Sequence, residues 1–410
     1  MSKSAICLPT PPAKRHALTW SLALALCLLI SVVPVAAQTP GDVQITLNEL
    51  SYSFSEALYF ELELTAPQPV ERLVLYYGLD AKPLWRRIYP VFEQGNGLTV
   101  EHVEELEPGQ FSPGEVLRAY WRLEFTDGTV YTTPVMRITY ADDRFSWRSL
   151  SGSVVDLHYY GNAGRQAADL LVSAQQAQAR LSNDVGVATD RRLQVYLYNS
   201  PRDMSGALSQ RSEVYDSMVT TLGVAMSDDT LLLLGSDDNV ELTLAHELSH
   251  LIVGLATDNP YAGLPRWLDE GLAMYAEGEL PRANQIALDR AIEQDALLTV
   301  RSMSSYSGQA EQVDLYYGAA YSVVDYLLQT YGRNNMRALL VEFARGSLQE
   351  DALQRVYGFG LDQLDAEWRI SLGLQPREPE AHASTSTLVG ARVGSTLCPP
   401  PLELMHARAP

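Results

Sequence analysis

The sequence predicts a multi-domain protein, an N-terminal all-β sandwich followed by an α+β, mostly helical domain. Three observations carry that expectation. Residues 41–145 are patterned with the period of two that half-buried strands require. From residue 146 the apolar spacing changes to that of amphipathic helices, interrupted by a few strand-like runs. A chain of 410 residues also exceeds what one core ordinarily fills.

In the first region, Ile45 to Leu64 is alternating and rich in aromatics, and Arg72 to Tyr77 is a short apolar run. The clearest signal is Arg118 to Thr133. There Trp121, Leu123 and Phe125 alternate with Arg122 and Glu124, and Asp127-Gly128 supplies a positive-φ turn before Val130-Tyr131 resumes. Several strands over about 100 residues predict a small sandwich of immunoglobulin or fibronectin type. Its residues offer no cluster suited to chemistry, so a packing or adhesion role is expected. Asp142 to Ser153 is polar and reads as a connector.

The second region, 146–374, predicts a helix over Ala167 to Leu181 and strands at Leu193 to Tyr198 and Thr230 to Leu234. A strongly apolar helix follows over Asn239 to Leu255, with Asp237-Asp238 at its N-terminal cap. The next helix spans Pro265 to Gly278, with proline in its first turn and glycine past its end. Leu280 to Leu297 predicts a third. Tyr316 to Tyr331 and Asn334 to Ala344 predict two more, separated at Gly332, and Leu361 to Leu374 closes the domain. Residues 375–410 are rich in Pro, Ser, Thr and Ala and read as a disordered tail.

The N-terminus reads as an export signal over residues 1–37. Lys3, Lys14 and Arg15 precede an apolar run from Ala17 to Val33, and Pro34-Val35-Ala36-Ala37 supplies small residues for cleavage. A secreted or extracytoplasmic surface location follows. The apolar run approaches the length of a short membrane span, so an uncleaved anchor is the alternative and the one expected route to a membrane. Leu26 precedes Cys27 where lipidation would want a small residue. The cysteines are Cys7, Cys27 and Cys398; cleavage would leave only Cys398, which excludes an intramolecular disulfide and a thiolate metal site. The net charge of −20 argues against nucleic acid as a partner.

Chemistry concentrates at His246-Glu247-Leu248-Ser249-His250, an H-E-x-x-H sequence. Residues four apart share a helix face, so two imidazoles can meet one cation. Glu247 between them can reach water on a zinc ion and take its proton. Composition alone would produce such a motif roughly 0.01 times in a chain like this one. The surrounding Leu242, Leu244, Ala245, Leu248, Leu251, Ile252 and Val253 predict a buried helix, where bare histidines and a glutamate are costly unless coordinated. Catalytic zinc takes three protein ligands. The metzincin spacing fails, because Val253 and Ala256 stand where Gly and a ligand are required.

H-E-x-x-H followed by Trp267-Leu268-Asp269-Glu270-Gly271-Leu272-Ala273 resembles the gluzincin metallopeptidases, and in particular their peptidase MA-like group, related to thermolysin and the M1 aminopeptidases. The resemblance covers roughly Asp143 to Leu374, including Trp147, the Tyr-rich helix and Asp365 to Trp368. It implies a zincin-like metallopeptidase domain that cleaves peptides or proteins. It also implies Zn²⁺ bound by His246, His250 and Glu270, with Glu247 as general base. Asp269 is then a helix-start acid favoured by the dipole. Aligned by Val323-Val324 and Leu327, the resemblance puts Tyr317 at the oxyanion position, with Tyr321 the runner-up. An edge strand for substrate is implied at Leu222 to Met226 or Thr230 to Leu234.

The sequence departs from the thermolysin pattern at Met274, where an Asp would support a zinc histidine, so the partners of the imidazoles stay unassigned. That departure motivates a second reading, a zinc-binding scaffold with little chemistry. The G-x-M-E-N anchor of M1 aminopeptidases is absent from the sequence, which favours an endopeptidase. His102, His158, His382 and His406 lie outside the constellation.

Overall fold

The computed structural model describes residues 43–208, 220–221, 223–227, 229–258, 263–305, 312–377 and 407–408. The expected export signal, nearly all of the tail, His382 and His406 lie outside them. Among the described residues, no helix is long and apolar enough to cross a membrane.

The N-terminal region is β-rich. Strands β1 (Gln44–Ser53), β2 (Ala57–Thr65) and β5 (Gly97–Glu105) form one antiparallel sheet. Strands β3 (Val70–Leu79), β4 (Arg86–Ile88), β6 (Val116–Phe125) and β7 (Val130–Thr132) form a second in the order β4-β3-β6-β7, with β8 (Met136–Thr139) also on β6. Alternation does what the pattern requires: Leu58, Phe60, Leu62 and Leu64 of β2 and Leu117, Ala119, Trp121, Leu123 and Phe125 of β6 enter one core. Gly128 takes φ +81° in the predicted turn, and Asp127 accepts hydrogen bonds from the amide and hydroxyl of Thr129.

The helical region is built on a second sheet of five strands. These are β9 (Arg148–Ser151), β10 (Val155–Tyr159), β11 (Leu193–Tyr198), β12 (Gly223–Ala225) and β13 (Thr230–Leu234), in the order β12-β13-β11-β10-β9. The three central strands are parallel, and α1 (Gly164–Arg180) makes the crossover from β10 to β11. The short α2 (Pro201–Ser205) follows β11. The remaining helices are α3 (Val240–Ala256), α4 (Arg266–Glu277), α5 (Arg282–Glu293), α6 (Val313–Ala344), α7 (Gln349–Tyr357) and α8 (Leu361–Ser371). Gly332 breaks α6 with φ 77° and ψ 169°, as its sequence position predicts.

Both faces of this sheet are covered, which explains why Leu231 to Leu234 is apolar without alternation. Val195, Leu197, Leu231 and Leu233 pack against the helices. Tyr196, Tyr198, Leu232 and Leu234 pack on the other face into the core of the N-terminal sheets.

The segment expected as a polar connector, Asp142 to Ser153, is exposed or half-buried over most of its length, but it contains the strand β9 and one buried anchor. Asp142 is fully buried, paired with the Arg144 guanidinium at 2.6 Å and accepting the Tyr198 hydroxyl at 2.8 Å. The Trp147 indole donates to the Asp142 carbonyl, and its ring packs edge-on against Tyr160, Tyr196 and Tyr198. These polar groups satisfy one another, so the one buried carboxylate of a largely exposed segment is paired. The tail also starts later than residue 375. The Arg369 Nε donates to the Gln375 carbonyl, and Arg377 pairs with Asp365 while donating to the Leu297 carbonyl. Trp147→Ala is expected to destabilise the protein by about 3 kcal/mol, since it empties the centre of the aromatic seam; denaturant unfolding at equilibrium measures it.

Candidate metal centre

The site lies where α3 meets α4. The chain enters α3 through Asp237, which accepts the Asn239 amide and the Thr243 hydroxyl, so the expected cap region is formed. Four-residue spacing puts His246 and His250 on one face, with ring centroids 4.9 Å apart. Pro265 precedes α4 and Gly278 ends it at φ 103°. The return of α4 carries Glu270 to the same point. His246 Nε2 stands 3.3 Å and His250 Nε2 3.7 Å from Glu270 Oε2. One ligand atom from each of the three residues lies within 4.8 Å of the others.

The imidazoles are oriented from behind. His246 Nδ1 lies 2.8 Å from Glu277 Oε1, and His250 Nδ1 lies 3.0 Å from Asp269 Oδ1. With each Nδ1–H donated to a carboxylate, each Nε2 keeps its lone pair for a cation. Sequence reasoning left these partners open because Met274 replaces the expected Asp. The structure moves that role one turn along, to Glu277, seven residues after Glu270 on the same face of α4. The signal was present as the helical spacing between Glu270 and Glu277. Asp269, read as a dipole-favoured acid, holds His250 instead. Arg266 was also missed: its guanidinium stands 3.5 Å from Glu270 Oε1 and 3.7 Å from Asp269 Oδ2.

The electrostatics favour a cation. Burial alone would lower both histidines, but the carboxylates outweigh it: Glu270 and Glu277 raise His246 to about 10, and Asp269 with Glu270 raises His250 to about 9. Glu247 is 4% exposed, and burial raises its carboxyl above the ordinary value against the pull of the two histidines. Two imidazole nitrogens and one carboxylate oxygen, sealed at His246 and partly open at His250, are a donor set that fits zinc with a position left for a reactant.

Two glycines allow this packing. A Cβ at Gly271 would come 2.5 Å from the Ala320 carbonyl oxygen, so glycine in the Asp-Glu-Gly run lets α6 approach α4. That approach brings the Tyr317 ring within 6.1 Å of the His246 ring. Burial first, then the Glu270 charge, raises the Tyr317 hydroxyl above its ordinary value, which keeps it a donor. Tyr321 faces away and stacks on Tyr275 at 6.3 Å. A Cβ at Gly223 would stand 2.9 Å from Thr243 Cγ2 and 3.0 Å from Glu247 Cγ, so the edge strand β12 lies directly against α3. β13 is paired on both sides, which leaves β12 as the strand with an edge to offer.

Among the described residues, the two histidines outside the cluster have structural partners. His158 is held between Ser149 Oγ and Gln194 Oε1, and His102 lies 3.5 Å from Glu104.

Removing the carboxylate charge behind His246 tests the arrangement. Glu277→Gln is expected to weaken metal affinity about 10- to 100-fold, read by competition with a chromogenic chelator.

Residues 173–373 match the sequence profile of the Peptidase MA superfamily. No protein of curated function matches the chain. Among solved structures, an M1 zinc metallopeptidase from Deinococcus radiodurans is similar at 14% identity and TM-score 0.33, over 79% of this chain and 91% of that one. Aminopeptidase A from Legionella pneumophila, in complex with aspartic acid, is similar at 11% identity and TM-score 0.37, over 82% of this chain and 49% of that one. The Br derivative of BhCBM56 is similar at 15% identity and TM-score 0.18, over 24% of this chain and 99% of that one.

Proposed function

Residues 173–373 of this chain belong to the peptidase MA superfamily, and from that premise we propose that the protein is a zinc-dependent peptidase. The observation that carries the proposal is the convergence of His246, His250 and Glu270, with a carboxylate behind each imidazole. Zinc held by these three would polarise a peptide carbonyl and lower the pKa of water. Glu247, beside the ligands but outside the ligand set, takes the proton of the attacking water and delivers it to the departing amine. Tyr317 donates its hydroxyl to the oxygen that gains charge. Arg266 and Asp269 hold Glu270 and His250 in place.

The scaffold reading drew its support from the missing Asp at Met274. Glu277 supplies that function, so the peptidase reading is favoured. The absent G-x-M-E-N anchor supports cleavage within a chain rather than at a free amino end. The N-terminal segment supports a location outside the cytoplasm.

The test is metal analysis of the purified protein together with hydrolysis of an internally quenched peptide blocked at its amino end. About one zinc per chain and cleavage that a chelator abolishes are expected. Absence of zinc and of cleavage across a peptide library would refute the proposal. Tyr317→Phe should lower kcat about 10²-fold with KM little changed, if its hydroxyl acts on developing charge; steady-state kinetics separates the two.

A further inference from the structure

The segment between β3 and β5 is held to the sheet as far as Ile88 and presents apolar side chains to water. Leu84, Tyr89 and Val91 are 79%, 66% and 97% exposed. The backbone from Lys82 to Ile88 is held against the sheet. β4 pairs with β3 through Arg86 opposite Tyr77 and Ile88 opposite Leu75. The Leu84 carbonyl sits where a Cβ at Gly78 would come within 2.7 Å, so glycine there admits the loop against the strand. Arg118 donates to the Lys82 carbonyl at 2.7 Å and lies over the Trp85 ring at 4.0 Å, and Trp85 packs edge-on against Tyr120. Pro83 and Pro90 stiffen the chain at either end.

The local charge opposes that of the whole chain. Between Asp80 and Glu93 there is no acidic residue, while Lys82, Arg86 and Arg87 fall among the exposed apolar side chains. The chain as a whole carries −20. A loop that exposes apolar and aromatic tips set among basic residues has the composition of an interfacial anchor.

We infer that residues 82–91 dock the protein onto an anionic lipid bilayer. Leu84, Tyr89 and Val91 enter the headgroup boundary, and Arg87 stays level with the lipid phosphates, while Arg86 donates to the Tyr77 hydroxyl at 3.3 Å. A soluble anion would leave the apolar tips without a partner. A second copy of the chain is disfavoured at this edge, because antiparallel pairing of β4 with itself would set Arg86 and Arg87 against the same two residues.

The test uses the full chain with Cys7→Ser, Cys27→Ser and Cys398→Ser, and a polarity-sensitive dye on Val91→Cys or, as a distant control on α1, on Val172→Cys. A blue shift is expected at position 91 with vesicles of phosphatidylcholine mixed with phosphatidylglycerol. No such shift is expected with phosphatidylcholine alone or at position 172, so an N-terminal anchor would not imitate the result. Arg87→Gln should weaken the partition about five-fold, the equivalent of about 1 kcal/mol for one arginine at the surface. No shift at position 91 with anionic vesicles, an equal shift with neutral ones, or a lipid-free shift that grows with protein concentration would each overturn the inference.

Discussion

Glu247→Gln is expected to lower peptide hydrolysis by about 10²- to 10⁴-fold, the range a positioned general base contributes, while zinc content is unchanged. The substitution keeps the volume of a buried side chain and removes only its capacity to take a proton. Glu247 lies outside the trio whose ligand atoms converge, so metal binding does not depend on it. The fold should tolerate the change, because burial already disfavours the charged form of this carboxyl. The measurement is kcat/KM on the quenched peptide beside zinc stoichiometry by elemental analysis. Activity within tenfold of wild type would remove Glu247 from the mechanism. Parallel loss of metal would mean that it is a ligand.

Removing the metal should destabilise the protein, and His246→Ala should abolish that response. A ligand at a thousand times its dissociation constant stabilises by about 4 kcal/mol. Chelation of wild type should therefore lower Tm by several degrees. His246 is completely buried between Glu270 and Glu277, so its loss leaves two carboxylates facing each other in a dry site without the imidazole or the ion. The variant should melt low, bind little zinc and show no further fall with chelator. Scanning calorimetry with and without chelator reads all three. A variant that still loses stability on chelation would place the ion elsewhere.

What could be read in advance follows the range of the interactions. The α3 and α4 helices, the break at Gly332 and the Asp127-Gly128 turn rest on residues a few positions apart, where periodicity and φ preference act. Glu277 is hard to foresee because the position another branch uses lies four after Glu270, and the acid here stands at the next position on that face. The burial of Asp142 was illegible for a different reason. Its carboxylate pairs with Arg144 close by in sequence, but it also accepts from the Tyr198 hydroxyl, a partner present only after the chain has folded back 56 residues. α7 and the strands β9 and β10 are short and share the same dependence on long-range packing.

The sheet with two covered faces bears on how such a chain can be taken apart or recombined. Leu231 and Leu233 look towards the metal helices, while Leu232 and Leu234, one residue away, look towards the N-terminal sheets. A cut between residues 145 and 146, where composition suggests one, would expose Tyr196, Tyr198, Leu232 and Leu234 as a greasy wall. It would also separate Phe145 from the Tyr160 ring it stacks on at 4.2 Å. In evolutionary terms the two halves are not interchangeable cassettes. A different N-terminal module could be grafted only if it brought its own lining for that wall.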